Sequence, residues 1–566
     1  MGVNPQELGQ LRPSHVSLRI PLLLTLSVAT LGIEIAVSRS SWSYVPLMAG
    51  QSARALQGSF NTVPVLHSNQ PETVSGTGIL VDTSPGSAVS TDSGQRLKNA
   101  TFTFEGKFGI HIHHKYFPTD KEKLGGSKSR GTLTLATIAT NTADTPVTIK
   151  FHRGSVKNSF EAPYHTNKLM GVKPLGHRPW NTGPGDATSI QMLRGRLDRN
   201  IVESVVIEPR SQKVIFTTII PARGIANGLL TGESNGPFHL AVVAAEEKSS
   251  ERDLISILKS GFLAPGRIYL SRIREIQSGK VFSRVAGVAI GDHYKASLNH
   301  NLEKSALHVP LTSTSKHHFG THEIQVNPLK TRMLDSAVNN VGTYGVRFDV
   351  TLNLKGSGAH ELVLSHPVAT GLKQPFTAFR GSIGIKINEV YKEVHVGLRS
   401  GQSLALSELN LSPNKYTPVT ISLVYPADNT PGHLLSVVPV QQLAMINQQM
   451  QTKNQPSNIL NKTENPNNKD LQQTMQISAV NPLTNKSHSI TNNSYIQTTS
   501  DNNKHPEAPP LPPKIVSAPL YFSKTNRLNI QPSAMILPQL INSSLGKHYQ
   551  DAIKAQQQWF RQLQSR

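Results

Sequence analysis

The sequence predicts a mainly β protein: two antiparallel β-sandwich-like lobes flanking one short helix, with a disordered C-terminal tail. Three observations carry this expectation. Short apolar or alternating runs recur along the chain and are cut by Pro, Gly, Asn or Asp, as in a succession of strands and turns. Charged residues make up only 16% of the chain, which disfavours long solvated helices laced with ion pairs. Beyond residue 440 the composition turns to Asn, Gln, Ser and Thr, with little apolar content to bury.

The chain begins with an export signature. Arg12 and Arg19 precede an apolar run over 20–33, interrupted by Thr25, Ser27 and Thr30. Such a run suits a signal-peptide core and falls short of the roughly 20 residues of a membrane span. Residues 1–37 are read as a signal peptide or an uncut anchor, and 38–57 as a linker containing Ala53-Arg54-Ala55, an A-x-A pattern. The chain has no cysteine, so disulfides, a lipobox, Cys-based zinc sites and thiol catalysis are all excluded.

Residues 58–246 form the first β lobe. Its strands are expected at 78–81, 100–104, 132–138, 147–151, 202–207, 213–220 and 238–245, with turns at 181–186 (NTGPGD) and 235–237 (NGP). A helix follows within 250–262. Ser250 caps it, Asp253 stands three residues on, Leu254, Ile255, Ile257 and Leu258 are apolar, and Gly261 stops it. Residues 263–440 form the second lobe, with strands expected at 281–290, 346–354, 361–364, 384–387, 394–398 and 419–424. Residues 441–519 are expected to be disordered, including the stiff EAPPLPP spacer at 507–513. Residues 546–564 can form an amphipathic helix.

Residues 58–73 (GSFNTVPVLHSNQPET), followed by 78–82 (GILVD), resemble the start of a mainly cyanobacterial family, domain of unknown function 3370. The likeness continues through 183–196 (GPGDATSIQMLRGR), 283–291 (SRVAGVAIG), 342–354 (GTYGVRFDVTLNL), 379–385 (FRGSIGI) and 425–431 (YPADNTP). It covers about 58–438 and leaves out the Asn/Gln-rich tail. The resemblance implies an exported β protein from cyanobacteria, in the envelope or outside the cell. The family has no established activity, so no catalytic residue carries over.

Lys and Arg number 57 and Asp and Glu 35, a net charge of +22. That excess suits an anionic partner, either an acidic polysaccharide or a membrane surface, and export makes nucleic acid unexpected. It also serves plain solubility. Two basic stretches are candidate binding elements. Residues 115–130, read as a hairpin loop, carry Lys121, Lys123, Lys128 and Arg130, and residues 194–199 carry Arg194 and Arg196. Arginine forks suit sulfate and carboxylate groups. Trp180 lies in a Gly/Pro loop where it can stack on a sugar or plug the end of a lobe.

Candidates for catalysis are weak. Gly232-Glu233-Ser234-Asn235-Gly236 matches G-x-S-x-G, but Pro237 and a strand follow where a nucleophile elbow needs a helix. Carboxylates are scattered, with no clustered pair for glycoside chemistry. On a strand, His111 and His113 share a face about 7 Å apart. They are weak metal candidates that lack a third ligand, which would have to come from the His317, His318 and His322 loop or from a carboxylate. No cofactor and no catalytic residue are expected. The sequence reading is therefore an exported envelope protein acting as a non-catalytic binding or structural module, with a hydrolase or His-ligated metalloenzyme on the same scaffold as the alternative.

Overall fold

A computed structural model describes residues 44–125, 130–164, 170–175, 182–247, 249–281, 283–368 and 374–453. The expected signal segment, most of the expected tail and the expected C-terminal helix lie outside these residues, as do Lys128 and Trp180. The described residues are mainly β and build sheets of fourteen, seven and five strands. None of their helices is long and apolar enough to cross a membrane.

Two large apolar cores organise the molecule. Side chains from Leu66 to Ala264, joined by Ala286, Val288 and Met333, fill the first. Phe104, Phe108, Phe151 and Phe238 meet in it at centroid separations of 5.2–6.2 Å. Leu56 and side chains from Tyr294 to Val437 fill the second, between the seven- and five-stranded sheets. The cores exchange strands. Ala286–Ile290 pairs with Pro64–Ser68 in the first sheet, and Gly171–Pro174 pairs with Val390–Arg399 in the seven-stranded sheet.

The fourteen-stranded sheet is organised by one long strand, Ile225–Glu246. Its first part pairs with Phe104–Tyr116 on one side and Val147–Asn158 on the other. Its second part pairs with Thr132–Thr140 and Gly78–Asp82. The register shifts between Ser234 and Phe238, so the expected Asn-Gly-Pro turn is an irregularity inside a continuing strand. Pro237 has no N–H to give the ladder, and Asn235 Oδ1 instead accepts from the Thr148 N–H at 2.7 Å.

The segment 115–130 is not a hairpin loop. The strands it joins both pair with Ile225–Glu246 and not with each other. Pairing is also not purely antiparallel: Pro64–Ser68 runs parallel to Phe104–Tyr116, and His293–Asn301 parallel to Arg347–Lys355. Long crossovers supply the needed connections in both cases.

The linking helix forms at Glu251–Ser260 as expected, with the Ser250/Asp253 capping box and Gly261 left-handed at φ 70. Leu254 and Leu258 are its buried residues. A second helix, Pro184–Leu193, replaces the turn expected at 181–186. Proline at its first position pre-sets the backbone, and nine of its ten residues are buried between the sheets, so tertiary packing holds it. A third, Val440–Lys453, is helical where disorder is expected from 441, because Leu443 packs against Val45, Met48 and Val438.

Arg267 and Asp335 form a fully buried ion pair, with Nη1 2.9 and 2.7 Å from the two carboxylate oxygens. Arg267 also donates to the Leu80 carbonyl, and Gln70 donates to Asp335. Removing one partner strands a buried charge. Asp335→Ala is expected to lower unfolding free energy by about 3–5 kcal/mol in urea denaturation. A loss below about 1 kcal/mol would show that the pair does not anchor this core.

Candidate functional site

The strand Phe104–Tyr116 buries a histidine-rich stretch. His111 and His113 do project from one face, but they go to different partners. His111 meets His67 on the parallel neighbour, Nδ1 to Nδ1 at 3.1 Å. His113 faces Asn227 through Nδ1 at 3.2 Å and Asp428 through Nε2 at 3.2 Å. His114 points the other way and is satisfied by Ser68 and the Pro71 carbonyl, both at 2.8 Å.

Around His113 the two cores meet over ionic groups. Glu72 pairs with the buried guanidinium of Arg284. Ligand atoms of Glu72, His113 and Asp428 lie within 4.8 Å of one another. Burial opposes charge on His113, but Asp428 and then Glu72 outweigh it and raise its pKa. Burial lowers the pKa of Lys115, against the pull of Glu72 and Asp428. Sequence reasoning named His113 and allowed a distant carboxylate as a further ligand, but did not find Glu72 or Asp428. They are remote in sequence, and no spacing links them.

His317, His318 and His322 do not join this group. His318 and His322 stack on each other at 4.5 Å. His317 turns toward His366, which in turn packs edge-on to His433 at 5.2 Å. Ser234 is no elbow nucleophile, because its hydroxyl donates to the Gly236 carbonyl at 2.9 Å on a strand.

The basic candidates separate into two places. Lys123 pairs with Glu246 at 3.3 Å, Lys121 is exposed beside the short 3-10 turn Glu122–Leu124, and half-buried Arg130 stands near Arg223. Arg194 and Arg196 lie elsewhere, at an open cleft of about 580 Å³ with Arg347, Tyr391, Lys392 and Glu393. Arg194 grips Glu393 through Nε and Nη2, at 3.0 and 2.6 Å from Oε2. Arg347 grips Asp349. Arg196 and Lys392 are exposed, and Tyr391 is 50% exposed with its hydroxyl on Glu393 at 3.2 Å. Arg194, the C-cap of the Pro184–Leu193 helix, reaches Glu393 on the Val390–Arg399 strand and so joins the two walls of the cleft.

A second groove, of about 490 Å³, is lined at one side by Gly171 and Val172 and includes Glu361, Glu408 and Arg399. Glu361 and Glu408 stand directly opposite on paired strands. Burial raises the Glu361 pKa, and the neighbouring Glu408 raises it further. The scattered acids of the sequence thus include one close pair that only strand register reveals.

Residues 51–439 match the model of a family described as "Protein of unknown function (DUF3370)". The chain belongs to this family. No curated protein matches this DUF3370 chain. Among solved structures, a tryptophan-to-tyrosine variant of oxalate decarboxylase from Bacillus subtilis is 9% identical. That alignment covers 68% of this chain and 85% of the other, with a TM-score of 0.10, and it carries no argument about fold or activity.

The buried neutral histidines make the DUF3370 fold acid-sensitive. Burial lowers the pKa of His67 and of His366 to about 3. The unfolded chain, with ordinary histidines near 6.5, binds more protons below that pH, so stability falls as pH drops from 6.5 toward 3. Each such histidine contributes a slope of about 1.4 kcal/mol per pH unit. Urea midpoints should fall between pH 7 and pH 4.5, and His366→Asn should flatten that dependence. An unchanged slope in the variant would contradict the assignment.

Proposed function

We propose that this DUF3370 protein is an exported, non-catalytic binding module of the cell envelope that engages acidic polysaccharide at the Arg194–Arg196 cleft. The observation that carries the reading is the convergence there of four cationic side chains and one half-exposed aromatic ring, with Glu393 as the acid of the lining. Arg194 and Arg347 are already held by Glu393 and Asp349, which fixes them as framework. Arg196 and Lys392 remain exposed to meet carboxylate or sulfate groups, and Tyr391 offers a face for a sugar ring. The volume suits one or two sugar units of a longer chain, within the range of ordinary ligand clefts. The net charge of +22 adds long-range attraction. Export rests on the basic, then apolar, N-terminus and the absence of cysteine.

Binding of the full chain to an acidic polysaccharide such as alginate should weaken with salt, as the Debye length shortens from about 10 Å at 0.1 M to about 3 Å at 1 M. Arg196→Gln with Lys392→Gln is expected to weaken it roughly tenfold, the equivalent of about 1.4 kcal/mol, and Tyr391→Ala to weaken it further. Affinity that ignores all three changes would overturn the cleft as the site. The same measurement on Lys121→Gln, Lys123→Gln and Arg130→Gln tests the separate basic loop, whose variants should bind as the wild type does.

A hydrolase reading is favoured by one observation, the Glu361/Glu408 pair in its groove. Two facing carboxyl groups, one of them held toward its protonated form as Glu361 is, are what glycoside cleavage requires. Release of reducing ends from an acidic polysaccharide, abolished by Glu361→Gln and by Glu408→Gln, would establish it. Intact polymer after prolonged incubation would dismiss it.

A further inference from the structure

At the seam between the cores, three segments remote in sequence bring together one imidazole and two carboxylates. Glu72 immediately precedes the strand Thr73–Val74, His113 lies on Phe104–Tyr116, and Asp428 lies between the last two strands of the second core. Asp428 is held in the left-handed region at φ 70, and its carboxylate faces His113.

The tautomer of His113 is set by its surroundings. The Thr188 hydroxyl donates to the carbonyls of Pro184 and Gly185, at 3.0 Å each. Its oxygen therefore accepts from the Asn227 amide nitrogen, which turns Asn227 Oδ1 toward His113. Oδ1 can only accept, so His113 Nδ1 carries an N–H, and Nε2 is the ring nitrogen that takes up either a metal ion or a second proton. Nε2 lies 3.2 Å from Asp428 Oδ1. With His113 only 2% exposed, and Glu72 bringing a second carboxylate so that the three ligand atoms lie within 4.8 Å of one another, the space between them suits one shared cation.

We propose that this cation is a divalent transition metal of the zinc or manganese class, bound by His113 Nε2 and the Glu72 and Asp428 carboxylates. One nitrogen and two carboxylate oxygens form a donor set for a borderline-to-hard ion. The supporting contacts fit such a centre: Asn227 orients the imidazole, and Arg284 orients Glu72. Because Glu72 and His113 belong to the first core and Asp428 to the second, the ion latches one to the other. Arg284 and Lys115 offset the two carboxylates, so the rival occupant is a proton on His113 Nε2. This inference is independent of polysaccharide binding.

The test uses the full chain, stripped with chelator and titrated at pH 7.5 with Zn²⁺ alone and Mn²⁺ alone, reading stoichiometry by calorimetry and mass spectrometry and Tm by circular dichroism. One equivalent of one of these ions should bind and raise Tm. Asp428→Asn, isosteric and partly exposed, should weaken binding at least tenfold while the far-ultraviolet spectrum stays unchanged. Asn227→Ala should weaken it by roughly 10–100-fold. His152→Gln, an exposed control, should bind as the wild type does. Failure of the folded wild type to bind one equivalent of either ion would overturn the proposal and leave the proton as the occupant. Equal affinity in Asp428→Asn would overturn it as well.

Discussion

The hydrogen-bond ladder of the strand Ile225–Glu246 is the constraint on which the rest depends. A strand of 22 residues buried among neighbours must satisfy nearly every backbone N–H and C=O. It does so by pairing on both sides, first with Phe104–Tyr116 and Val147–Asn158, then with Thr132–Thr140 and Gly78–Asp82. The register of that ladder sets Asn227 opposite His113 and Leu229 opposite His111. A slip of one residue would turn His111, His113 and Lys115 to the other face and dissolve the polar seam.

The seam is ionic because two cores that close on each other must bury whatever polar groups lie between them. Unpaired charge there costs several kcal/mol, and the side chains are matched accordingly. Arg284 meets Glu72, His113 meets Asp428, and Asp186 meets His395 and Ser382. Burial alone would raise the Asp186 pKa, but His395, with Thr182 and Ser382, outweighs it and lowers it. The helix Pro184–Leu193 sits at this junction. It supplies Asp186 to the second core's sheet and Thr188 to Asn227, so one short element serves both sides.

The surface follows a different logic. Arg194 and Arg347 are tied into ion pairs that shape a cleft, whereas Arg196, Lys392 and Tyr391 are left to solvent. The Glu361/Glu408 groove is lined by Gly171 and Val172 at the start of the Gly171–Pro174 strand, and the cleft by Leu175 just past its end. The two sites are electrostatically linked, because Lys392 of the cleft and Glu361 of the groove act on each other.

What the sequence determined by itself is local. Alternating and apolar runs bounded by turn residues marked most strands, because burial on a sheet has a period of two. The helix Glu251–Ser260 was legible to within a residue, because its Ser250/Asp253 box and Gly261 stop act through neighbours in the chain. His111 and His113 were placed on one face by the same period. Tertiary structure decided the rest. The helix Pro184–Leu193 reads as a turn in isolation, since its Gly and Pro residues favour one, and burial on nearly all sides overrides that preference. The Asn235-Gly236-Pro237 turn became an irregularity because partners on both sides kept the strand going. Glu72 with Asp428, and Glu361 with Glu408, are pairs created by register and core closure. No spacing in a linear chain encodes a contact between residues tens or hundreds of positions apart, and that is why the sites became legible only in three dimensions.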